Sequence, residues 1–175
     1  HYTSNNTIFG TQFQEVPETH LPLVCDMSSD IFSKKVDISK FDLIYAGAQK
    51  NLGPAGATLY IVKDSILGKS SVEIPSMLDL NLHASKESMF NTPPVFSIYT
   101  SMLTLRWLKA NGGLDWMEDR NNKKAALLYA EIDRNPLFRG TAEVNSRSKM
   151  NATFVLNNED HTDTFNKMLA DARIN

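Results

Sequence analysis

The chain has 175 residues, of which 42% are hydrophobic and 22% are charged, and its formal net charge is −2 at pH 7. This is the composition of a globular protein with a substantial core, and it excludes a disordered or fibrous chain. The slightly negative charge provides no basic surface for a phosphate backbone, so we expect no nucleic acid partner. No apolar stretch approaches the ~20 residues of a membrane-spanning helix, so we expect no membrane association.

The only cysteine, Cys25, cannot form an intrachain disulfide, which fits a reducing compartment. Because it ends the apolar run 21–25, we predict a buried structural thiol and not a nucleophile. The four histidines are scattered, without nearby cysteines or paired acids, and predict no metal site. These features together favour a cytoplasmic protein.

Three short apolar runs, residues 21–25, 41–46 and 57–62, predict β-strands. Each is rich in Val, Ile, Leu and Tyr and is followed by polar or glycine-containing residues, as is typical of buried parallel strands. The segment 26–40 carries charged and hydroxyl side chains, and it predicts a loop or one short helical turn rather than a full crossover helix.

Apolar residues then recur at threes and fours, which predicts two helices. The first begins at Pro93 and ends at the Asn-Gly-Gly run 111–113, and the second spans about 114–133. We expect Trp107 and Trp116 to anchor a core. Beyond residue 140, the run 151–156 predicts a strand and 162–173 a final helix, as in a small α+β subdomain.

The most informative stretch is YAGAQKNLGPAG, residues 45–56, in which Lys50 follows a predicted strand and is enclosed by small residues and turn formers. The carboxyl end of a strand in an open α/β sheet is where such folds bind ligands. By composition alone, however, a solvated loop lysine is the simpler interpretation of Lys50.

Asp26 provides a second ionisable side chain, since it directly follows the apolar run that ends at Cys25. Two neighbouring strands would then each deliver one such residue to the same crevice. Pyridoxal phosphate (PLP) uses this pair, because a lysine holds its aldehyde as a Schiff base and a carboxylate keeps its pyridine nitrogen protonated. The alternative for Asp26 is a loop acid or a helix cap.

The run CDMSSDIFSKKVDISKFDLIYAGAQKNLGPAGATLYIV, residues 25–62, resembles the cofactor lysine region of the phosphoserine aminotransferases, class V aminotransferases of fold type I. The resemblance continues through SMFNTPP (88–94), WLKANGG (107–113) and SRSKMN (146–151). It implies an α/β fold in which 1–115 belong to the large, parallel-rich PLP-binding domain. Residues 116–175 would form a linking helix and the start of the small α+β C-terminal domain.

The resemblance also assigns site residues. Lys50 would form the internal aldimine, Asp26 would pair with the pyridinium nitrogen, and Gln49 would help to hold the cofactor phosphate. Thr7 would contact the ring hydroxyl of the cofactor, although a turn or cap threonine is the alternative. Asn91 and Thr92 would reach across a homodimer interface to the neighbouring subunit's cofactor phosphate, or act as a cap before helix-starting prolines.

The implied activity is PLP-dependent transamination between L-glutamate and 3-phosphohydroxypyruvate, giving O-phospho-L-serine and 2-oxoglutarate in serine biosynthesis. Two alternatives stay open: a related aminotransferase with another oxo acid, or a catalytically incompetent fragment that acts only as a folded or dimerising module. The family's phosphate-binding turn, its ring-stacking aromatic and its substrate arginines have no counterpart here. We therefore expect a fragment that lacks both family termini.

Overall fold

The computed structural model describes residues 1–174, which form eight short strands and four α-helices. The strands, in chain order, are β1 Tyr2–Thr3, β2 Asn5–Asn6, β3 Thr11–Gln12, β4 Val24–Asp26, β5 Leu43–Gly47, β6 Thr58–Val62, β7 Phe138–Gly140 and β8 Phe154–Leu156. The helices are α1 Leu80–Ser85, α2 Val95–Ala110, α3 Gly113–Arg134 and α4 Thr162–Asp171. The predicted strands and helices are thus confirmed in type, with ends that differ by a few residues.

The chain divides into two compact units. The first unit comprises residues 1–4 and 15–119, and the second comprises residues 5–14 and those from 120 onward. The domain assignment made from the sequence, with 1–115 in one domain and 116–175 in the next, stays a prediction.

The first unit is built on a four-stranded sheet with the order β1-β4-β5-β6. Strands β1, β4 and β5 are parallel, whereas β6 pairs with β5 in the antiparallel sense. The expectation that 57–62 forms a third parallel strand was therefore wrong. The connection between β5 and β6 is short and is closed by a hydrogen bond from Ala48 N–H to Ala57 O at 2.9 Å. A parallel partner would need a crossover of about a dozen residues or more.

The core of the first unit lies on one face of this sheet. Cys25, Ile44 and Ala46 are at most 2% exposed, while the alternate residues Asp26 and Tyr45 are only partly buried. Side chains from the loops complete this core; they are Leu23, Met27, Ile31, Phe41, Ala48 and Leu52. The predicted burial of the Cys25 thiol is confirmed, and burial raises its pKa.

Helix α2 buries two serines and one leucine and leaves its aromatic side chains exposed. Ser97, Ser101 and Leu108 are buried, whereas Phe96 is 74% exposed and Trp107 is 49% exposed. Trp107 instead contacts Trp116 edge to face, with ring centroids 5.5 Å apart. The expectation that Trp107 anchors a core was wrong for this chain, because the serine side of the helix is the one that packs.

The second unit contains two antiparallel hairpins, β2–β3 and β7–β8. Phe138, Phe154 and Phe165 form an aromatic cluster that joins the second hairpin to α4, with centroid distances between 5.0 and 6.5 Å. Across residues 1–174, no helix is both long enough and apolar enough to span a bilayer. The same residues contain no cluster of His, Cys, Asp or Glu that could hold a metal ion.

Candidate functional site

Two parallel strands of the first unit end at the same edge of the sheet. Strand β4 ends at Asp26, which pairs in register with Tyr45, and β5 continues for two residues to Gly47. The loop that leaves β5 carries Gln49 and Lys50, both exposed. The sequence prediction that two neighbouring strands deliver an acid and an amine at their carboxyl ends is thus matched by this topology.

The Asp26 carboxylate is held in place by the residue two positions further on. Its Oδ1 atom accepts hydrogen bonds from Ser28 N–H at 2.8 Å and from Ser28 Oγ–H at 2.7 Å. The Ser28 hydroxyl oxygen in turn accepts a hydrogen bond from Gly47 N–H at 3.0 Å. A chain of three groups therefore connects the end of β4 with the end of β5.

Tyr45 lies on the same face of the sheet as Asp26. Its hydroxyl is 3.0 Å from His1 Nε2, and the two rings stack with centroids 5.9 Å apart. Burial, followed by the charge of Asp26 and a hydrogen bond with it, raises the pKa of Tyr45 above its ordinary value. The phenol therefore stays protonated at neutral pH and can donate a hydrogen bond at this edge of the sheet.

The Lys50 loop is fixed at both ends. Gly53 N–H donates to Ala48 O at 2.7 Å, and Leu52 is 6% exposed in the core. The Asn51 side-chain amide donates to Ile31 O at 2.5 Å, which ties this loop to the one that follows β4. Lys50 therefore stands on an anchored turn, although its side chain is exposed.

Small residues after Lys50 allow α2 to approach. A Cβ atom on Gly56, whose φ is +115°, would lie 2.9 Å from Ser97 Oγ. The Ser97 hydroxyl donates to Ala55 O at 2.6 Å. The first turns of α2 therefore pack against residues 53–56, the small residues and turn formers that follow Lys50.

The remaining predicted site residues are exposed. The Asn91 side chain donates to Thr92 O at 3.2 Å, ahead of the first turn of α2. Thr7 belongs to the second unit, where it lies in the turn of the β2–β3 hairpin. Asn6 Oδ1 caps that turn by accepting from Ile8 N–H and Phe9 N–H. The cofactor-binding roles of Asn91, Thr92 and Thr7 stay predictions.

Ser28 and Asn51 join the two loops and were not predicted from the sequence. An aspartate followed two residues later by a serine is a recognisable local signal, because the serine can hydrogen-bond back to the carboxylate. The same pattern recurs at Asp37 and Ser39, where the serine N–H and hydroxyl both donate to Asp37 Oδ1. The bond from Gly47 to Ser28 depends on strand register and has no local signal.

Comparison with known families identifies the class of protein to which this fold, with a lysine at the edge of its sheet, belongs. The model of the aminotransferase class-V family matches residues 1–175, and the chain belongs to this family. The resemblance noted in the AGAQKNLGPAG region, and the α/β fold that it implied, are therefore confirmed.

Several relatives bear a more specific name. The chain is 66% identical over 168 residues to the phosphoserine aminotransferase of Flavobacterium johnsoniae, covering 96% of this chain and 47% of that protein. It is 51% identical to the Bacillus subtilis phosphoserine aminotransferase, covering 99% of this chain and 49% of that protein. The chain spans about half the length of the curated relatives it matches.

Solved structures agree with the sequence relatives. The phosphoserine aminotransferase of Bacillus circulans subsp. alkalophilus superposes with a TM-score of 0.93 at 43% identity, covering 98% of this chain and 48% of that one. The PLP-bound phosphoserine aminotransferase of Trichomonas vaginalis gives a TM-score of 0.90 at 32% identity, covering 99% of this chain and 50% of that one.

Proposed function

We propose that this chain supplies the cofactor lysine and the pyridine-binding carboxylate of a PLP-dependent phosphoserine aminotransferase. The reaction transfers an amino group from L-glutamate to 3-phosphohydroxypyruvate, giving 2-oxoglutarate and O-phospho-L-serine in serine biosynthesis. The observation that carries the proposal is the placement of Asp26 and the Lys50 loop at one edge of the sheet, with the Asp26 carboxylate fixed through Ser28.

The residues present fit the cofactor. Asp26 offers a partly buried carboxylate to a pyridine nitrogen, and the exposed Lys50 amine stands on an anchored turn. The exposed amide of Gln49 folds back over Gly47, where a Cβ atom would lie 2.6 Å from Gln49 Oε1. An amide at a strand end can donate to a phosphate oxygen without adding charge.

When bound, PLP supplies the electron sink that lets the amino-acid substrate release its α-proton. Lys50 would hold the cofactor through Nζ, and the same Nζ would accept and return the α-proton of the substrate. Asp26 would accept a hydrogen bond from the ring nitrogen, and Gln49 would donate to the phosphate. By the family resemblance, Thr7 would donate from its hydroxyl to the ring oxygen of the cofactor.

A homodimer completes the proposed site, since Asn91 and Thr92 would donate to the phosphate bound by the neighbouring subunit. Support comes from large apolar side chains that the first unit exposes between residues 72 and 96, among them Val72, Met77, Leu78, Met89, Val95 and Phe96. Exposed apolar side chains concentrated in one segment are typical of a surface that further protein covers, and the proposed homodimer would cover this one. Light scattering of the full-length protein at micromolar concentration would give twice the monomer mass, and a monomer would contradict the shared site.

A cytoplasmic location accompanies this proposal. The buried, unpaired Cys25 fits a reducing compartment.

Identity of 66% to a named phosphoserine aminotransferase supports transamination over an inert folding module.

The test is Lys50→Ala in the full-length enzyme, with Lys69→Ala as the matched control because Lys69 is an exposed lysine elsewhere in the first unit. We expect Lys50→Ala to lose the visible absorbance band of bound PLP and at least a thousandfold of the glutamate to 3-phosphohydroxypyruvate rate, on the order expected for a covalent catalytic group. Lys69→Ala should keep both. A Lys50→Ala enzyme with an unchanged spectrum and rate would overturn the proposal.

The oxo-acid specificity needs a separate assay. The full-length enzyme should turn over 3-phosphohydroxypyruvate with a higher kcat/KM than other oxo acids, the phosphorylated precursor of vitamin B6 included. The reverse order would transfer the proposal to a related aminotransferase of the same fold.

A further inference from the structure

The Ser28 hydroxyl lies between two groups that the proposed reaction needs in fixed positions. It donates to Asp26 Oδ1 at 2.7 Å and accepts from Gly47 N–H at 3.0 Å. Gly47 ends the strand from which the Lys50 loop departs. One hydroxyl therefore couples the orientation of a carboxylate to the strand that leads to the cofactor lysine.

A carboxylate needs such a restraint because the terminal torsion of an aspartate is broad and has no deep staggered well. Two donors from Ser28 hold Asp26 Oδ1, and the Gly47 N–H restrains the rotamer of Ser28. The ring nitrogen of PLP would then meet a carboxylate whose plane is already set. By fixing the Asp26 carboxylate before the cofactor binds, Ser28 would preorganise the site.

The pair Asp37 and Ser39 repeats the local hydrogen bonds that join Ser28 to Asp26. There too the serine N–H, at 3.0 Å, and its hydroxyl, at 2.6 Å, donate to one aspartate oxygen. That pair begins a short 3₁₀ turn at an exposed position. Only at Ser28 does the hydroxyl also accept from a neighbouring strand.

We infer that Ser28 is a positioning residue. It orients Asp26 toward the cofactor ring nitrogen and keeps Asp26 aligned with β5, the strand from which the Lys50 loop departs. The inference rests on the proposed function, because it assumes that Asp26 faces PLP. Ser28 acts through Asp26, so no contact between Ser28 and the cofactor is required.

The variant that tests it is Ser28→Ala in the full-length enzyme. Alanine removes the hydroxyl but keeps the backbone N–H that donates to Asp26 Oδ1 at 2.8 Å, so the local turn is retained. Ser28→Thr restores a hydroxyl and serves as the rescue. Ser39→Ala removes the same local bond at the exposed pair and is the matched control.

The first measurement is the ¹⁵N chemical shift of the pyridine nitrogen, with ring-labelled PLP bound to each enzyme. The second is the dissociation constant of PLP, measured by spectrophotometric titration of the apoenzyme. For Ser28→Ala we expect the shift to move toward that of a neutral pyridine, and PLP binding to weaken roughly three- to tenfold, as loss of one hydrogen bond predicts. Ser28→Thr should recover most of both, and Ser39→Ala should match the wild type.

A second control separates orientation of Asp26 from general tightening of the loops. Asn51→Ala breaks the other tie between the same two segments, the amide bond to Ile31 O, and the Asn51 side chain forms no hydrogen bond with the Asp26 carboxylate. We expect it to lower the melting temperature and to leave the ¹⁵N shift near its wild-type value. A shift equal to that of Ser28→Ala would overturn the positioning role.

The inference also falls if Ser28→Ala shows the wild-type ¹⁵N shift and affinity. Failure of the proposed function has a different signature, namely that the unsubstituted enzyme and Lys50→Ala bind PLP equally and without a visible Schiff-base band.

Discussion

Gly53 and Ser101 approach so closely that no side chain fits between them. A Cβ atom on Gly53 would lie 2.5 Å from Ser101 Oγ and 3.3 Å from Ser101 Cα. Gly53 is the residue whose N–H closes the Lys50 turn onto Ala48 O. The absence of a side chain at Gly53 is therefore required for α2 to pack beside the loop that carries Lys50.

We predict that Gly53→Ala lowers the free energy of unfolding of the full-length protein by about 1–3 kcal/mol, as overpacking of a tight contact does. The backbone of Gly53 is outside the left-handed region, so the cost is steric and not conformational. Urea denaturation followed by circular dichroism measures it. The cofactor titration should weaken in parallel, because the Lys50 turn has to shift.

Ser101→Ala is the control for this steric explanation. The Ser101 hydroxyl oxygen is buried without a hydrogen-bond partner among the described residues, so its removal alone should change stability by less than about 1 kcal/mol. Combined with Gly53→Ala, it removes the closest clash and should recover part of the lost stability. Strictly additive losses in the double variant would show that the clash is not the cause.

The same contact explains what the sequence could and could not predict. The strand-end positions of Lys50 and Asp26 could be predicted because an apolar run followed by a polar residue is a local pattern, and strand ends carry ligands in this fold class. Their cofactor roles come from the family resemblance and stay predictions. The packed side of α2 was not predicted, because the expectation that Trp107 anchors a core favoured the opposite side. Which side packs depends on glycines far away in sequence, such as Gly53 and Gly56.

Strand sense and cross-strand bonds were missed for a similar reason. The run 57–62 was correctly predicted as a strand, but its antiparallel pairing follows from the short connection and not from its own composition. Ser28 carries a local signal for its bond to Asp26, whereas its bond to Gly47 exists only because β4 and β5 are in register. Non-local geometry therefore accounts for the errors.

Arg147 provides a second stability prediction, in the second unit. Its two terminal nitrogens donate to both oxygens of Asp133 at 2.6 and 2.7 Å, and its guanidinium carbon lies 4.6 Å from the Tyr129 ring centroid. Arg147→Lys keeps the charge but loses the bidentate geometry and most of the stacking. We expect Arg147→Lys to lower the melting temperature nearly as much as Arg147→Ala. A lysine variant as stable as the wild type would show that charge alone suffices.

Cys25 should be unreactive in the folded protein. Its side chain is fully buried, and burial raises the pKa of the thiol, so little thiolate is present or accessible at pH 8. Iodoacetamide labelling followed by peptide mass mapping should modify Cys25 at least roughly tenfold more slowly in native protein than in urea. Equal rates in the two conditions would contradict the burial of this strand.

Asp42 should make stability depend on pH. Its Oδ2 accepts from Leu23 N–H at 2.7 Å and its Oδ1 accepts from Lys63 Nζ at 3.2 Å. The backbone bond first, and then Lys63, hold the pKa of Asp42 below its ordinary value of 3.8. Because folding lowers this pKa, the stabilisation is complete above pH 3.8 and is lost as the pH falls through the lowered value.

Asp42→Asn tests this dependence, since the amide oxygen still accepts from Leu23 but carries no charge. We expect the variant to be less stable than the wild type at pH 7, with the gap closing as the pH falls below 3.8. Lys63→Ala should retain most of the wild-type pH dependence, because the Leu23 bond is the larger cause. Denaturant titrations of all three proteins across this range measure it. A stability gap between wild type and Asp42→Asn that stays constant down to low pH would show that the Asp42 charge is not what Leu23 N–H stabilises.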